Sequence, residues 1–516
     1  MANRSKWAVV IVACMAVFII VLDSSAMNVA IGALVEDLHT SLSFIQAIIA
    51  IYALVMASCM LLGSKIQDIL GRKKTFLIGT IIYGVGTLTA TFSVNAWMLL
   101  IGWALLEGAG AALMLPATTT FISAEYTGKD RVVAFGIWGG IAATGAAIGP
   151  IIGGFFTTYL TWRLVFASEI LLVIAILLFR SRLSESKPSL GWKDLDKAGA
   201  AMSIAAMFMF VFGVLLLRSP DLWPVVPLLM IPGIALYVAF LWFQKRRARK
   251  GLEPLFDTTL LASRMFNLGN VTSVIQQLAL AAVLFVIPVF LQQVNQESAI
   301  MTGVALLPLS LSIFVFSIAG RRFLVILRQP KYLVMLGFAV SAVGLFLLRD
   351  DFSINTAIPD LILGSLVLGI GIGFLLSQLT NITMSAASGE QEAEASGFLN
   401  TSKNLGYSLG TALIGVILIL GVFSGLTTSL STSDLATGMS EEQVQESLVD
   451  YFQSMQTSPP QGIPEDKIPE ATELVDTALS SGMETAFIVL AILMLLGLTV
   501  SVFLPRTESK TDTGDG

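Results

Sequence analysis

Long apolar runs recur along this chain, and short polar stretches separate them. Fourteen of the runs approach or exceed the ~20 residues that a helix needs to cross a bilayer. These runs lie at roughly 7–32, 43–63, 75–93, 97–121, 134–158, 164–180, 198–217, 224–243, 265–292, 301–318, 333–348, 358–382, 397–423 and 483–504. The pattern predicts an all-α polytopic membrane protein with about 14 transmembrane helices.

Lysine and arginine alternate between the two sides of these runs. With the N-terminus inside, the cytoplasmic segments hold Arg4, Lys6, the Lys65–Lys74 cluster, Lys129, Arg131, Arg180–Lys197, Lys245–Arg264, Arg321–Lys331, Arg506 and Lys510. The outer segments hold Arg163, Arg218, Arg349 and Lys467. Since cytoplasmic loops are enriched in basic residues, we expect a multi-pass protein of the cell membrane with both termini in the cytoplasm.

Composition agrees with a membrane protein, and no active-site motif indicates an enzyme. Of 516 residues, 55% are hydrophobic and 13% charged, about half the charge of a typical soluble domain. Cys14 and Cys59 both lie in apolar runs, so we predict no disulfide. The single histidine, His39, leaves too few ligands for zinc. Because the sequence has no phosphate loop or nucleophile–base pair, we expect no cofactor, no catalytic activity and no nucleic-acid partner.

The second and third runs are joined by a charged stretch, Gly63-Ser-Lys-Ile-Gln-Asp68-Ile-Leu-Gly71-Arg72-Lys73-Lys74. Its glycines permit a tight turn, and Asp68 is one helical turn from Arg72, so the two can pair. The stretch is either an ordinary basic loop or a latch that forms and breaks. It resembles the loop signature G-x-x-x-x-D-x-x-G-R-[RK]-[RK] of the major facilitator superfamily. The resemblance implies that Asp68 and Arg72 lock an outward-facing state.

The first run contains an acid at a depth where charge is costly. Asp23 lies well inside it, where an ionised Asp costs ~2.5–3.5 kcal/mol. It must face a cavity, find a partner or stay protonated. The segment Leu22-Asp23-Ser-Ser-Ala-Met-Asn28-Val-Ala30 resembles the first-helix signature L-D-x-T-x-x-N-x-A of the fourteen-helix drug/proton antiporter branch, with Ser25 in place of Thr. The resemblance implies a coupling or substrate role for Asp23 and Asn28; the alternative is a structural acid.

A second acid, Glu107, lies in the fourth run. Related transporters carry an Arg one turn earlier, where this chain has Ala104. Glu107 would titrate together with Asp23, bind a cationic substrate, or stay protonated between helices. A third acid, Glu169, is expected to be structural and to pair with Arg163 or a neighbour.

The fifth run is rich in glycine at three- and four-residue spacing, which allows close helix packing. Pro150 is expected to bend this helix. The segment resembles the antiporter signature G-x-x-x-G-P-x-x-G-G of the superfamily, which is associated with exporters. The matching residues are Gly145, Gly149, Pro150, Gly153 and Gly154.

Later runs add polar candidates. Gln276 and Gln277 are adjacent, so only one can face a central cavity. Lys403 lies inside the thirteenth run and is either a snorkelling anchor or a cavity charge. The segment 424–482 is expected to be an acidic outer loop with a surface helix beginning at about 440.

The resemblance covers nearly the whole chain and implies the major facilitator fold. We predict a six-helix bundle at 1–182, two extra helices at 183–263, a second six-helix bundle at 264–504 and a tail at 505–516. The expected function is proton-driven export of amphipathic, often cationic compounds, with small-molecule, proton and lipid partners and a monomeric state. The alternatives are an exporter of one endogenous lipid or metabolite with altered coupling, and a non-transporting scaffold or sensor.

Overall fold

The structure is a computed structural model that describes residues 7–27, 29–217, 220–354, 356–387, 391–430 and 468–506. Fourteen long helices lie in these ranges. They are α1 Ala8–Met27, α2 Leu42–Leu70, α3 Arg72–Thr91, α4 Ala96–Glu125, α5 Gly128–Tyr159, α6 Arg163–Leu178, α7 Lys197–Leu216, α8 Val226–Arg249, α9 Arg264–Gln293, α10 Ala299–Leu327, α11 Pro330–Leu348, α12 Leu361–Met384, α13 Glu392–Leu430 and α14 Ile468–Val502.

Thirteen helices of the described ranges are long and apolar enough to cross a membrane. The remaining long helix, α3, starts with three basic residues and carries several threonines and glycines, which lowers its hydropathy. It occupies the position of the predicted run 75–93. Large apolar side chains face outward from many helices, including Leu171 and Leu228, as lipid contact requires. The predicted all-helical membrane fold is confirmed.

Two hydrophobic cores organise the helices. One is built mainly from α1 to α6 and includes Phe121 and Phe166. The other is built mainly from α9 to α14 and includes Phe338 and Phe487. Helices α7 and α8 pack on each other, and α7 also packs on α2. The helices therefore form two bundles with two additional helices, while the exact domain boundaries stay predictions.

Several predicted boundaries are wrong, and glycine explains the first. Helix α2 continues to Leu70, so the expected turn starting at Gly63 is helical. The helix ends at Gly71, which has a φ of 89° that glycine adopts without strain. The first helix is shorter than predicted because it ends at Met27 and a separate short helix covers Ile31–Asp37.

The predicted outer loop 424–482 is also too long. Helix α13 extends to Leu430 and α14 begins at Ile468, so both ends of that segment are helical. The Ser and Thr residues that suggested a loop are tolerated in these helix ends. The surface helix predicted near 440 lies outside the described residues.

Helix α4 contains a feature that hydropathy does not reveal. Leu100–Glu107 forms a π-helical segment between two α-helical parts. Such a segment shifts the register of the following side chains and often lies at a functional site. Gly86 of α3 and Gly102 of α4 let the two backbones approach closely here. The segment ends at Glu107 and so sets the direction of that side chain.

Candidate functional site

Three buried acids from different helices converge inside the first bundle. One carboxylate oxygen each of Asp23 (α1), Glu107 (α4) and Glu169 (α6) lies within 4.8 Å of the others, and all three side chains are fully buried. Trp103 Nε1 donates to Asp23 Oδ2 at 2.6 Å. The Tyr83 hydroxyl donates to Glu169 Oε2 at 3.0 Å. We call these three acids the carboxylate cluster.

The carboxylate cluster has no basic partner among the described residues. Asp23 Oδ1, both Glu107 oxygens and Glu169 Oε1 are buried without a hydrogen-bond partner. Three adjacent negative charges at membrane depth are far too costly to coexist. The cluster must therefore hold shared protons or a hard cation, and its oxygens are close enough for either.

The contacts that hold the carboxylate cluster all come from the first bundle. Its Glu107 packs on Gly86 of α3, where an added Cβ would lie 2.7 Å from Glu107 Cγ. The ring of Tyr52 stacks on Trp103 with centroids 5.8 Å apart, and its hydroxyl is buried beside Asp23. Asp23 has thus found partners in its own bundle.

Of the two partners expected for Glu169, Arg163 or a neighbour, the structure has the neighbour, Tyr83. Arg163 Nη1 binds Asp37 Oδ2 at 2.5 Å, and its Nη2 donates to the Ser93 carbonyl at 2.7 Å. Arg163 thereby stays at the end of α6, about two turns from Glu169. Glu169 accepts the hydrogen bond from Tyr83 inside the bundle. The sequence contains a signal for this cluster. Each of the three acids lies inside an apolar run of the first predicted bundle, where an isolated charge is costly.

A second group of contacts joins the two bundles at the ends that the distribution of basic residues predicts to be cytoplasmic. Lys65 Nζ of α2 lies 2.6 Å from Glu394 Oε1 of α13. It also lies 3.7 Å from Glu253 Oε2 and 3.9 Å from Asp68 Oδ2. Glu394 Oε2 accepts the N–H of Asp257 at 2.5 Å. We call the Lys65–Glu394 pair and Asp257 the cytoplasmic gate.

Asp257 is strongly held in this gate. Partial burial alone would raise the pKa of its carboxyl, but hydrogen bonds from Thr259 and Gln391 and the charge of Lys65 lower the pKa below its usual value. The Gln391 amide donates to Asp257 Oδ2 at 2.6 Å. Asp257 is therefore ionised at neutral pH and contributes a fixed negative charge.

Hydrogen bonds between α4 and α13 reinforce the closure. Ser396 Oγ donates to the Pro116 carbonyl at 2.6 Å, and Asn400 Nδ2 donates to Thr119 Oγ1 at 3.3 Å. The Ser123 hydroxyl donates to Glu392 Oε1 at 3.0 Å. The predicted cytoplasmic ends of the bundles are thus in direct contact in this structure.

The residues of the predicted latch lie next to the gate, with partners the sequence did not give. Arg72 Nη1 donates to the Thr120 carbonyl of α4 at 3.3 Å. Asp68 pairs with Lys65, and its carbonyl accepts the N–H groups of Ser189 and Leu190. Gly63 is packed against the α4 backbone. The locking role of Asp68 and Arg72 stays a prediction.

Lys403 is buried where the two bundles meet, with a relative exposure of 8%. Its Nζ donates to Thr380 Oγ1 of α12 at 2.6 Å. The same nitrogen lies 5.0 Å from the ring centroid of Trp138 on α5, and Trp138 Nε1 donates to Thr118 Oγ1 at 3.0 Å. Snorkelling is therefore the wrong alternative, because the ammonium is held inside by partners from both bundles.

The two glutamines differ as expected for adjacent helix positions. Gln276 is buried and its Nε2 has no hydrogen-bond partner. Gln277 is half-buried, and its Cβ packs near Gly406 of α13. Asn28 lies outside the described residues. Roles for these three residues stay predictions.

The glycines of α5 bring it against α1, close to the carboxylate cluster. A Cβ at Gly149 or Gly153 would clash with Ser25 or Ala26 of α1. Ser25 Oγ donates to the Gly145 carbonyl at 3.2 Å. Gly154 is buried, and the helix is continuous from Gly128 to Tyr159 through Pro150.

A family model described as Major Facilitator Superfamily matches residues 13–198 and 195–411. The chain belongs to the major facilitator superfamily. The prediction from the loop and helix motifs is confirmed, and this superfamily consists of transporters.

Curated relatives point to export. The chain is 27% identical over 514 residues to the tetracenomycin C resistance and export protein of Streptomyces glaucescens, covering 97% of this chain and 92% of the relative. It is 26% identical to the puromycin resistance protein pur8 of Streptomyces alboniger, covering 80% and 82%. These relatives agree with the drug-efflux branch of the superfamily.

Solved structures share the fold at low identity. The human organic anion transporter MFSD10 (TETRAN) superposes with a TM-score of 0.60 at 13% identity, over 97% of this chain and 100% of that chain. The proton:xylose symporter XylE gives a TM-score of 0.62 at 12% identity, over 98% and 97%. Both similarities support the two-bundle architecture.

Proposed function

We propose that this protein is a secondary active exporter of amphipathic small molecules that exchanges substrate for protons by alternating access. The observation that carries the proposal is the carboxylate cluster: three buried acids with no basic partner among the described residues. A cluster that cannot hold three charges takes up protons or a cation. We assign protons to it, and a proton gradient would then drive its loading and unloading.

The location of the acids supports a coupling role more than a substrate role. Their contacts are with Trp103, Tyr83 and Gly86, which all belong to the first bundle. A substrate in a central cavity would reach the cluster only after these helices moved. We therefore assign proton exchange to Asp23, Glu107 and Glu169 and do not require a cationic substrate.

The contacts between the bundles provide the conformational half of the mechanism. The cytoplasmic gate and the α4–α13 hydrogen bonds hold the inner ends together, so substrate would enter from the cytoplasm only after they separate. Release of protons inside and uptake of protons outside would bias the two arrangements in opposite directions. The names of the relatives, which include resistance and export proteins, support the outward direction of transport.

The test is exchange in proteoliposomes with an imposed pH gradient. Dye uptake and the internal pH are followed together, and Asp23→Asn is compared with wild type. The matched control is Asp350→Asn, which alters an exposed acid after α11. We expect proton-dependent uptake in wild type and in the control, and its loss in Asp23→Asn. Full coupled exchange by Asp23→Asn would contradict the coupling assignment.

A second candidate is export of one endogenous lipid or metabolite with altered coupling. Ala104 favours it, because the resemblance implies an arginine at this position that would tune proton transfer. If folded wild-type protein moved none of a panel of amphipathic dyes, this narrower function would replace the first.

A further inference from the structure

Lys403 places a buried amine at the meeting point of the two bundles. It belongs to α13 of the second bundle, and the aromatic face next to it belongs to Trp138 of the first. Thr380 and Thr118 complete the polar surroundings, one from each bundle. Any group that binds here touches both halves of the protein.

The Lys403 ammonium has no acidic partner among the described residues. It has three donors, and one of them is directed at Thr380 Oγ1. No ion pair in the described part of the chain includes it. A buried charge left without a counter-charge is strongly destabilising, and a basic residue inside a membrane span is a functional-site candidate by default.

Among the described residues, neither group of buried acids supplies the missing charge. The carboxylate cluster is enclosed by α1, α3, α4 and α6, and its hydrogen bonds go to Trp103 and Tyr83. The acid of the cytoplasmic gate, Glu394, is occupied by Lys65 and by the Asp257 N–H. Lys403 therefore presents its free donors to a ligand.

Trp138 defines the shape of that ligand. Its indole is fixed by the hydrogen bond to Thr118 Oγ1, and its ring lies 5.0 Å from the ammonium. A flat aromatic group stacks well on such a ring, and an anionic substituent on that group forms a charge-assisted hydrogen bond with the ammonium. The pair thus combines an aromatic platform with a single cation.

We propose that Lys403 and Trp138 form a subsite for the acidic group of an aromatic substrate, so that the exported compounds include amphipathic carboxylic acids and acidic phenols. This inference rests on the proposed export function and specifies its substrate class. Because the subsite is contributed by both bundles, a bound acid would neutralise Lys403 only while the bundles are close around it.

The test compares two dyes with the same ring system and opposite charge, fluorescein and rhodamine 123. Binding to the purified full-length protein in detergent is measured by fluorescence anisotropy, which needs no transport. We expect Lys403→Gln to weaken fluorescein binding by about tenfold to about a hundredfold, since a hydrogen bond to a charged group is lost. Lys403→Arg should keep most of the affinity.

Two controls separate charge from misfolding. Rhodamine 123 binding should change little in Lys403→Gln, and thermal melting should show an intact fold. The matched lysine control is Lys331→Gln, since Lys331 lies at the start of α11 and donates to the Val502 carbonyl. Its fluorescein affinity should equal that of wild type.

Three outcomes would overturn the subsite: fluorescein binds Lys403→Gln as tightly as wild type, both dyes are weakened equally, or wild type does not bind fluorescein. None of them decides the export function. That depends on whether wild-type proteoliposomes move any amphipathic dye under a pH gradient, including rhodamine 123.

Discussion

Neutralising Glu394 is expected to open the cytoplasmic side of the protein. Lys65 and Glu394 are 2% and 7% exposed, and their charged atoms lie 2.6 Å apart. Removing one partner of such a buried pair costs about 3 kcal/mol or more. The cost falls mainly on the closed arrangement, because separation of the bundles returns Lys65 to water. The equilibrium between the closed and the open arrangement of the bundles should therefore shift toward the open one by on the order of a hundredfold, since about 1.4 kcal/mol corresponds to a factor of ten.

Cysteine accessibility measures this shift. Asn400→Cys is introduced into a background with Cys14→Ala and Cys59→Ala, because Asn400 is 3% exposed between α13 and α4. Labelling by a membrane-impermeant maleimide added on the cytoplasmic side should accelerate in Glu394→Gln by on the order of a hundredfold.

A double variant separates the charge effect from loose packing. Lys65→Met combined with Glu394→Leu removes both charges and keeps apolar volume, and such replacements are often neutral or stabilising. Its labelling should return to the slow rate. Equal labelling rates in wild type and Glu394→Gln would refute the argument that this pair holds the cytoplasmic side closed.

Three further predictions follow from single contacts. Gly149→Ala should lower the melting temperature because the new Cβ would clash with the Ser25 side chain, at a cost of about 1–3 kcal/mol. Ser25→Gly in the same chain should recover part of the loss, and an unchanged melting temperature in Gly149→Ala would contradict the packing. Glu107→Gln should reduce the number of protons released per substrate in a pyranine assay, while an unchanged ratio would remove Glu107 from coupling. The pKa of Asp257 is lower in the folded protein than in the unfolded chain. Its negative charge therefore stabilises the fold fully above the unfolded pKa, and this stabilisation is lost only as the pH falls through the lower folded pKa. Asp257→Asn should therefore speed the same cysteine labelling equally between about pH 5 and about pH 8; an effect that vanished at the acidic end would contradict the lowered pKa.

The membrane architecture could be predicted because it depends on simple physical requirements. Helix length and apolar content are set by the bilayer, and backbone hydrogen bonds must be satisfied within each span. Boundaries were harder, since Ser64 to Leu70 are polar enough for a loop yet continue α2 until Gly71 ends it. Hydropathy reports where a chain leaves the apolar core and does not report where its helix stops.

The candidate site was only partly predictable. Asp23 and Glu107 stood out because acids are rare at membrane depth, but their convergence with Glu169 depends on three-dimensional packing. The π-helical segment Leu100–Glu107 contributes to that packing by turning Glu107 toward α3. The link between Lys65 and Glu394 spans more than three hundred residues of sequence, and no local pattern indicates such a pair.

Helix α5 is the element best placed to connect proton exchange with substrate binding. Near its outer end, Gly149 and Gly153 pack directly on α1, only a few residues beyond Asp23. Nearer the cytoplasm, Trp138 meets Lys403, and Gly136 packs on the backbone of α10 in the second bundle. Gly153 and Gly136 face the backbones of Ala26 and Ser317 directly, and Gly149 faces the Ser25 side chain. A displacement of α1 on protonation of Asp23 would therefore have to move α5 or separate from it. A displaced α5 would carry Trp138 away from Lys403, and loss of that contact would expose the Lys403 amine. Protonation of the carboxylate cluster and release of an acidic substrate would then be two consequences of one helix movement.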